Sequence, residues 1–126
     1  MEPLVKSLDR PDERAELPKA HADILRLADQ LVIRGTLEPG WRWSNDWQPI
    51  MGTASCQFPH TGLVVSGRWH FEMDDGTGLD LGPGDAYSIP PGHDAWVVGD
   101  EPVHTIDWAP AQDEATEDLI DTATGE

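Results

Sequence analysis

Closely spaced turn signals are the feature that most limits how this chain can fold. Between residues 22 and 108, clusters of Gly, Pro and Asp divide the sequence into short apolar or alternating runs. Each of these residue types favours a turn for its own physical reason: backbone freedom, a fixed φ or a local side-chain hydrogen bond. Short strands with a turn signal at each end are typical of an antiparallel sandwich or barrel. The sequence therefore predicts an all-β domain.

The clearest strand is the segment 68–73. Trp69, Phe71 and Met73 share one parity, and the intervening residues are polar, as in a strand with one buried face. Asp75 and Gly76 follow, and an Asp-Gly pair supplies the positive φ that a tight hairpin requires. We expect the hairpin partner near residues 79–81 and further strands near 87–89, 95–98 and 103–108.

The segment 22–37 fits two structures. Ile24, Leu27 and Leu31 suit one face of a helix. The β-branched residues Val32 and Ile33, by contrast, favour strands, at least in the second half.

Length and composition predict three regions. A chain of 126 residues fits one domain, which we place at residues 19–109. Residues 1–18 are charged and carry three prolines, so they are interpreted as an extended N-terminal arm. Residues 110–126 contain six acidic residues and no basic one, which predicts a solvated, mobile, disordered C-terminal tail.

Net charge and cysteine content limit the cellular location and the partners that we expect for the protein. The net charge of −16 repels phosphate backbones and anionic lipid, so we expect neither a nucleic acid nor a membrane as partner. No apolar run approaches the roughly 20 residues that span a bilayer, and the first residues do not resemble a signal peptide. The only cysteine, Cys56, cannot form an intrachain disulfide, which favours a reducing, cytoplasmic location.

The stretch 84–96, GDAYSIPPGHDAW, resembles the second motif of the cupin superfamily. That motif reads Gly, five residues, Pro, one residue, Gly, two residues, His, and it is matched by Gly84, Pro90 and Gly92. The histidine position falls on Ala95, whereas the nearby imidazole is His93. With segments 39–44 and 52–57, this stretch looks like a small group of bacterial single-domain cupins. The resemblance implies a double-stranded β-helix, the cupin jelly-roll barrel.

The first cupin motif is matched less well. It reads Gly, five residues, His, one residue, His, three or four residues, Glu, six residues, Gly. With Gly67 as the closing glycine, the glutamate position falls on His60 and the second histidine position on Ser55 or Cys56.

A rival register of the same motif starts at Gly52. It places Phe58 and His60 at the paired histidines but leaves Phe71 at the closing glycine. We prefer Gly67, which begins a strand cleanly.

The cupin resemblance implies a metal site inside the barrel, where three or four donors must converge. The candidate ligands are His60, His93 and Cys56, and the candidate cofactor is a divalent transition metal, Fe, Mn, Ni or Zn. Cys56 and His60 would face the pocket together if both lay on one strand, four residues apart. The alternatives are that His93 is a hydrogen-bonding loop residue and that Cys56 is a small buried hydrophobe.

Other residues are candidates for the pocket lining. Trp41 and Trp43 alternate on one face of a predicted strand and could form an aromatic wall with Trp96, unless these rings fill the core. Asp94 could orient the neighbouring imidazole or cap the turn. His104 could reach the pocket or form a hydrogen bond in the core.

Two functions remain open. The first is a cupin-domain protein that binds a small molecule in the barrel through an atypical metal site; whether it is an enzyme is left open. The second is a metal-free module that binds or senses a small ligand through the same polar and aromatic groups. A homodimer through paired sheet edges is a further interpretation.

Overall fold

A computed structural model describes residues 2–124 of the chain. Nine antiparallel strands account for most of the ordered structure, and two short helices and a π-helical turn complete it. The strands are β1 (Glu13–Leu17), β2 (Ala20–Leu27), β3 (Gln30–Leu37), β4 (His60–Ser66), β5 (Trp69–Met73), β6 (Gly78–Leu81), β7 (Ala86–Ile89), β8 (His93–Val97) and β9 (Val103–Pro110). The π-helical turn covers Trp43–Trp47, and the helices are α1 (Gln48–Met51) and α2 (Glu114–Thr124).

The strands form two sheets. The larger has the order β1-β2-β3-β9-β4-β7, and the smaller has the order β6-β5-β8. Buried side chains from both sheets, such as Val64 and Val103 of the larger and Phe71 of the smaller, belong to one core cluster. The two sheets therefore enclose a common apolar interior, as the predicted all-β class requires.

The predicted closed barrel is not observed, because within residues 2–124 the two sheets remain separate. Among the described residues, strand β8 pairs with the segment 42–56 through two isolated β-bridges, Arg42 with Trp96 and Cys56 with His93. The π-helical turn and α1 occupy the chain between those bridges, so no continuous strand is available there to pair with β8.

The ambiguous segment 22–37 forms strands throughout. Strands β2 and β3 make a hairpin in which Ala20 pairs with Leu37 and Leu27 with Gln30. Ala28 adopts a left-handed φ of 54° in the turn. Ile24 and Leu31 are buried in a second core cluster, so their apolar character reflects the buried face of a sheet and not of a helix.

The predicted hairpin after residue 73 is confirmed. Trp69 of β5 pairs with Leu81 of β6, and Gly76 has a φ of 90°, a conformation that L side chains rarely adopt. Trp69 and Phe71 are buried, as their shared parity predicts.

Both ends of the chain differ from the predicted regions. Strand β1 lies inside the predicted arm, 1–18, and pairs along its whole length with β2. The predicted disordered tail, 110–126, contains helix α2 up to Thr124; its last two residues lie outside the described residues.

Helix α2 forms because its start is capped and one face is buried. The Asp113 carboxylate accepts a hydrogen bond from the backbone N–H of Thr116 at 3.1 Å, as an N-cap residue does. Glu114 and Glu117 place negative charge in the first turn, where the helix dipole favours it. Ile120 packs against Ala15 of β1 and the adjacent core cluster. Among residues 2–124, no helix has the length and apolar character needed to cross a membrane.

Candidate metal centre

Cys56 and His93 are brought together by their backbones. The Cys56 N–H donates to the His93 carbonyl at 2.7 Å, and the Gly92 N–H donates to the Cys56 carbonyl at 2.7 Å. Gly92 has a φ of 95°, which lets the chain turn into β8 immediately before His93. Cys56 and His60 do not share a strand, because β4 begins at His60. Their side chains nevertheless reach the same interior.

The His93 ring is fully enclosed and is held in one orientation. The residue is 1% exposed, and its Nδ1 lies 2.9 Å from the carbonyl oxygen of Pro90. A carbonyl only accepts hydrogen bonds, so Nδ1 donates to Pro90 and Nε2 is left for another partner. Within residues 2–124, the buried Nε2 atom has no hydrogen-bond partner.

His60 is oriented by a carboxylate. Its Nδ1 lies 3.4 Å from Oδ2 of Asp107 on β9. The Tyr87 hydroxyl of β7 donates a short hydrogen bond to Oδ1 of the same carboxylate. Because Nδ1 faces Asp107, the Nε2 edge of His60 is left for another partner.

A glycine makes room for this carboxylate. Gly62 of β4 pairs directly with Asp107 of β9. A Cβ at residue 62 would collide with Oδ1 of Asp107 and with the Ile106 carbonyl. The Asp107 side chain therefore lies over the space that the missing side chain leaves, between His60 and Tyr87.

The three predicted ligands form one compact cluster. Potential ligand atoms of Cys56, His60 and His93 all lie within 4.8 Å of one another. The two imidazole centroids are 5.1 Å apart. The His60 ring also makes edge contacts with Trp69 and Phe71, which surround the cluster with apolar surface.

The cluster favours a charged pair despite its burial. Burial by itself would raise the pKa of the Cys56 thiol, but the adjacent imidazoles of His60 and His93 outweigh it and lower that pKa to about 6. Burial would likewise lower the pKa of His60, but Asp107 and Cys56 stabilise its cation and raise that pKa to about 9. The two opposite shifts both favour a Cys56 thiolate beside a protonated His60.

The partner of Asp107 is a permanent donor. Burial and the neighbouring Asp107 carboxylate raise the pKa of the Tyr87 phenol above its usual range. Tyr87 therefore stays protonated and keeps donating to Asp107.

An apolar cavity opens beside the cluster. Its volume is about 100 Å³. Its lining includes the three candidate ligands and, from α2, Leu119 and Ile120. The aromatic side chains of its lining are Trp41, Trp43, Trp47, Phe58 and Trp69, together with His21 and the two cluster imidazoles.

Comparison with known proteins identifies the fold. No family model and no curated protein sequence matches the chain. Among solved structures, a cupin-2 domain from Rhodospirillum rubrum matches with a TM-score of 0.57 at 16% identity, covering 86% of this chain and 67% of the other. A protein with a double-stranded β-helix domain from Klebsiella pneumoniae matches with a TM-score of 0.54 at 24% identity, covering 88% of this chain and 93% of the other. The chain has a cupin fold. KdgF from Halomonas sp. is also similar, with a TM-score of 0.54 at 20% identity, covering 76% of this chain and 83% of that one.

Two of the predicted pocket tryptophans line the cavity of this cupin fold. Trp41 and Trp43 are 3% and 2% exposed and face the cavity. They do not lie on a strand as predicted, because Trp43 begins the π-helical turn. Trp41 makes an edge contact with Trp47 at a centroid distance of 5.1 Å.

Asp94 and Trp96, also predicted for the pocket, are not among the described residues that line this cavity. His93, Ala95 and Val97 are the buried residues of β8, so period-2 alternation turns Asp94 and Trp96 to the opposite face. There the Trp96 ring lies under the Arg42 guanidinium, 4.2 Å from it. The Asp94 carboxylate accepts from the Ser44 N–H at 3.1 Å and pairs with Arg42.

His104 also lies outside the cavity. Val103 and Thr105 are the buried residues of β9, so His104 faces the other side of the sheet. Its Nδ1 lies 3.3 Å from the Thr36 hydroxyl on the neighbouring strand. This position fits the alternative interpretation of His104 as a hydrogen-bonded residue.

The sequence did not identify three residues of the site, namely Asp107, Tyr87 and Trp69. Asp107 had a detectable signal, because it is the carboxylate that shares parity with Val103 and Thr105 on β9. Trp69 was assigned only to the core. Nothing in the sequence pairs Tyr87 with Asp107, since they lie 20 residues apart on different strands.

Proposed function

We propose that this cupin-fold chain binds a divalent transition metal through Cys56, His60 and His93 and uses that site to bind a small molecule in the adjoining cavity. The observation that carries the proposal is the buried, unpartnered Nε2 of His93. A buried polar atom without a partner is costly, and native structures rarely leave one unexplained. A metal ion within reach of Cys56 and His60 would satisfy it.

The orientation of both imidazoles supports a metal. Metal-binding histidines nearly always direct their other ring nitrogen to a carbonyl or a carboxylate. His93 directs Nδ1 to the Pro90 carbonyl, and His60 directs Nδ1 to Asp107. Neither Nε2 takes part in these contacts, and potential ligand atoms of both rings and of Cys56 lie within 4.8 Å of one another.

The donor set favours certain metals over others. A thiolate with two imidazoles suits Zn²⁺, Fe²⁺ or Ni²⁺ better than Mn²⁺, which prefers oxygen ligands. Three protein ligands leave a coordination position open, and a metal bound there supplies Lewis-acid chemistry to a molecule in the cavity.

The protein groups have separable roles in this proposal. Asp107, held by Tyr87, fixes the His60 ring. Trp69 and Phe71 exclude water from one side of the cluster. A dry site strengthens each electrostatic interaction within it.

Metal-free binding is the second candidate function. The observation in its favour is the Cys56 thiolate beside the His60 cation, which balances charge without a metal. The cavity would then bind its ligand directly.

Metal analysis of untagged protein separates the two candidates. We expect about one equivalent of a transition metal in the wild type and less than about a tenth in Cys56→Ala and His93→Ala, because each substitution removes a ligand. His70→Ala is the matched control: His70 pairs with Asp80 at 2.7 Å in a second His–Asp pair that includes none of the candidate ligands. Metal-free wild-type protein that gains no thermal stability from added Zn²⁺, Fe²⁺ or Ni²⁺ would contradict the proposal.

The same experiment tests the positioning role of Asp107. Asp107→Asn removes the carboxylate that orients His60, so we expect the metal affinity to fall by about 10- to 100-fold in chelator competition. Asp80→Asn, the corresponding change in the other pair, should leave the affinity unchanged. Equal affinities in the two variants would remove Asp107 from the site.

A further inference from the structure

Three buried side-chain atoms lack a hydrogen-bond partner among the described residues. They are Nε2 of His93 and the indole Nε1 atoms of Trp41 and Trp69. All three residues line the same cavity. The proposed metal accounts for the histidine atom and leaves the two indoles unexplained.

The two indoles are well placed to act together. Trp41 and Trp69 are 3% and 4% exposed, so neither N–H reaches bulk solvent. Their ring centroids are 6.5 Å apart. Trp69 also contacts the His60 ring at a centroid distance of 5.6 Å, which puts this pair next to the metal cluster.

The chemistry of indole limits what can satisfy the pair. Indole N–H is a donor only, so its partner must carry an acceptor atom. Burying an unpaired N–H is unfavourable, and two of them around one cavity indicate a ligand that presents acceptor oxygen there.

The charge of the cavity lining limits the ligand further. Among the described residues, no lysine or arginine lines the cavity. The ionisable side chains there are Cys56, His60, His93, Asp107 and His21, and Asp107 already pairs with His60. Apart from Thr105 and Thr116, the remaining lining is aromatic and aliphatic, so a charged ligand would lose its hydration without gaining a counter-ion at the indole pair.

We infer that the cavity binds a small, uncharged, largely apolar carbonyl compound, such as a cyclic ketone, lactone or ester, whose oxygen accepts hydrogen bonds from Trp41 and Trp69. This inference deepens the proposed small-molecule site and rests on it. The apolar part of the ligand lies against the aromatic lining, and its oxygen lies near the open side of the metal cluster.

Binding of matched probes tests the inference. We would titrate the full chain with cyclohexanone, with methylenecyclohexane, which has the same shape but no acceptor oxygen, and with cyclohexanecarboxylate. Binding is followed by the indole N–H resonances of ¹⁵N-labelled protein. Cyclohexanone should bind most tightly and move the Trp41 and Trp69 resonances downfield. Equal binding of ketone and hydrocarbon, or tighter binding of the carboxylate, would overturn the inference.

Phenylalanine substitutions remove one donor and keep an aromatic ring. Trp41→Phe and Trp69→Phe should each weaken cyclohexanone binding by about fivefold, the ordinary effect of one hydrogen bond, and should not change hydrocarbon binding. Trp108→Phe is the control, since Trp108 is 41% exposed and does not line the cavity. If a variant fails to fold, the resonance shifts of the wild type still decide the outcome.

Metal content measured on the same samples keeps the two proposals distinguishable. A full equivalent of metal without any preference for the ketone would overturn this inference alone. Ketone-selective binding by protein that takes up no metal would contradict the proposed metal site and support the indole pair.

Discussion

At the scale of single residues, Cys56 and His60 depend on each other. Burial disfavours both charged forms, yet each side chain stabilises the charge on the other. Asp107 adds a second favourable contact to His60, and Tyr87 keeps Asp107 in place. The thiolate that a metal would bind is therefore already formed near neutral pH.

The first prediction concerns the titration of Cys56 in metal-free protein. The ultraviolet absorbance of the thiolate should appear with a midpoint near the pKa of about 6, well below the ordinary value of 9.0. His60→Ala should move that midpoint upward. Burial raises the pKa of Cys56, and the variant lacks the His60 imidazole that opposes this effect. His70→Ala should leave the midpoint unchanged. A wild-type midpoint at the ordinary thiol value would show that the pair does not form.

The pH dependence of stability follows from the same two groups. The depressed pKa of Cys56 contributes stability that is fully present above 9.0 and is lost as the pH falls through about 6. The raised pKa of His60 contributes stability that is fully present below 6.5 and is lost as the pH rises through about 9. Metal-free protein should be most stable between these limits, and the acid-side loss near pH 6 should be absent in Cys56→Ala.

At the scale of the strands, the contact between β4 and β9 sets the geometry of the site. Asp107 can reach His60 because its direct partner on β4 is Gly62. A side chain at residue 62 would meet both the Asp107 carboxylate and the backbone of Ile106. The close pairing of β4 and β9 therefore affects both the stability of the sheet and the position of the His60 imidazole.

The second prediction is that Gly62→Ala destabilises the protein and disturbs the site. We expect a loss of about 1–3 kcal/mol in the free energy of unfolding, typical of an overpacked interior, together with weaker metal binding. Urea denaturation measures the first effect and chelator competition the second.

Gly78→Ala is the matched control for this change. A Cβ there would approach only the side chain of His70, at 3.3 Å. The His70 side chain can move aside more easily than backbone atoms can, so Gly78→Ala should lower the free energy of unfolding by less than Gly62→Ala does. Equal losses in the two variants would show that the close approach of β4 and β9 does not matter.

At the scale of the whole molecule, helix α2 forms part of the cavity wall. Leu119 and Ile120 line the cavity, and Ile120 belongs to the core cluster that contains Ala15, Ile24 and Leu31. Arg26 of β2 also joins the helix to the sheet, through a paired contact with Glu117. The acidic C-terminal segment is therefore part of the folded domain.

The third prediction is that Ile120→Ala loosens α2. Truncation of a buried isoleucine costs about 2–5 kcal/mol, and here the loss should appear mainly as local release of the helix. Amide hydrogen exchange in α2 should become faster, while exchange in β4 and β9 changes little. Thr122→Ala, at an exposed position of the same helix, should leave exchange nearly as in the wild type. Unchanged protection of α2 in Ile120→Ala would show that Ile120 does not anchor it.

The sequence by itself determined the local structure. Turn residues such as Gly76 and the alternation of Trp69 and Phe71 specify the hairpin of β5 and β6, because turn chemistry and strand periodicity are local properties. The second motif, with Gly92 before His93, predicted a turn that leads into a strand, and the resemblance built on it indicated the fold.

Only the tertiary structure decided which groups meet. Cys56 lies in a segment without periodicity, and its place opposite His93 depends on two backbone hydrogen bonds formed over a long sequence separation. Period-2 alternation turned Asp94 and Trp96 outward once His93 was buried, and it brought Asp107 inward beside His60. Helix α2 is ordered because Ile120 has a core to pack against, which the acidic composition of the segment does not reveal. Contacts between distant segments depend on how the sheets pack, and sequence patterns report only the preferences of neighbouring residues.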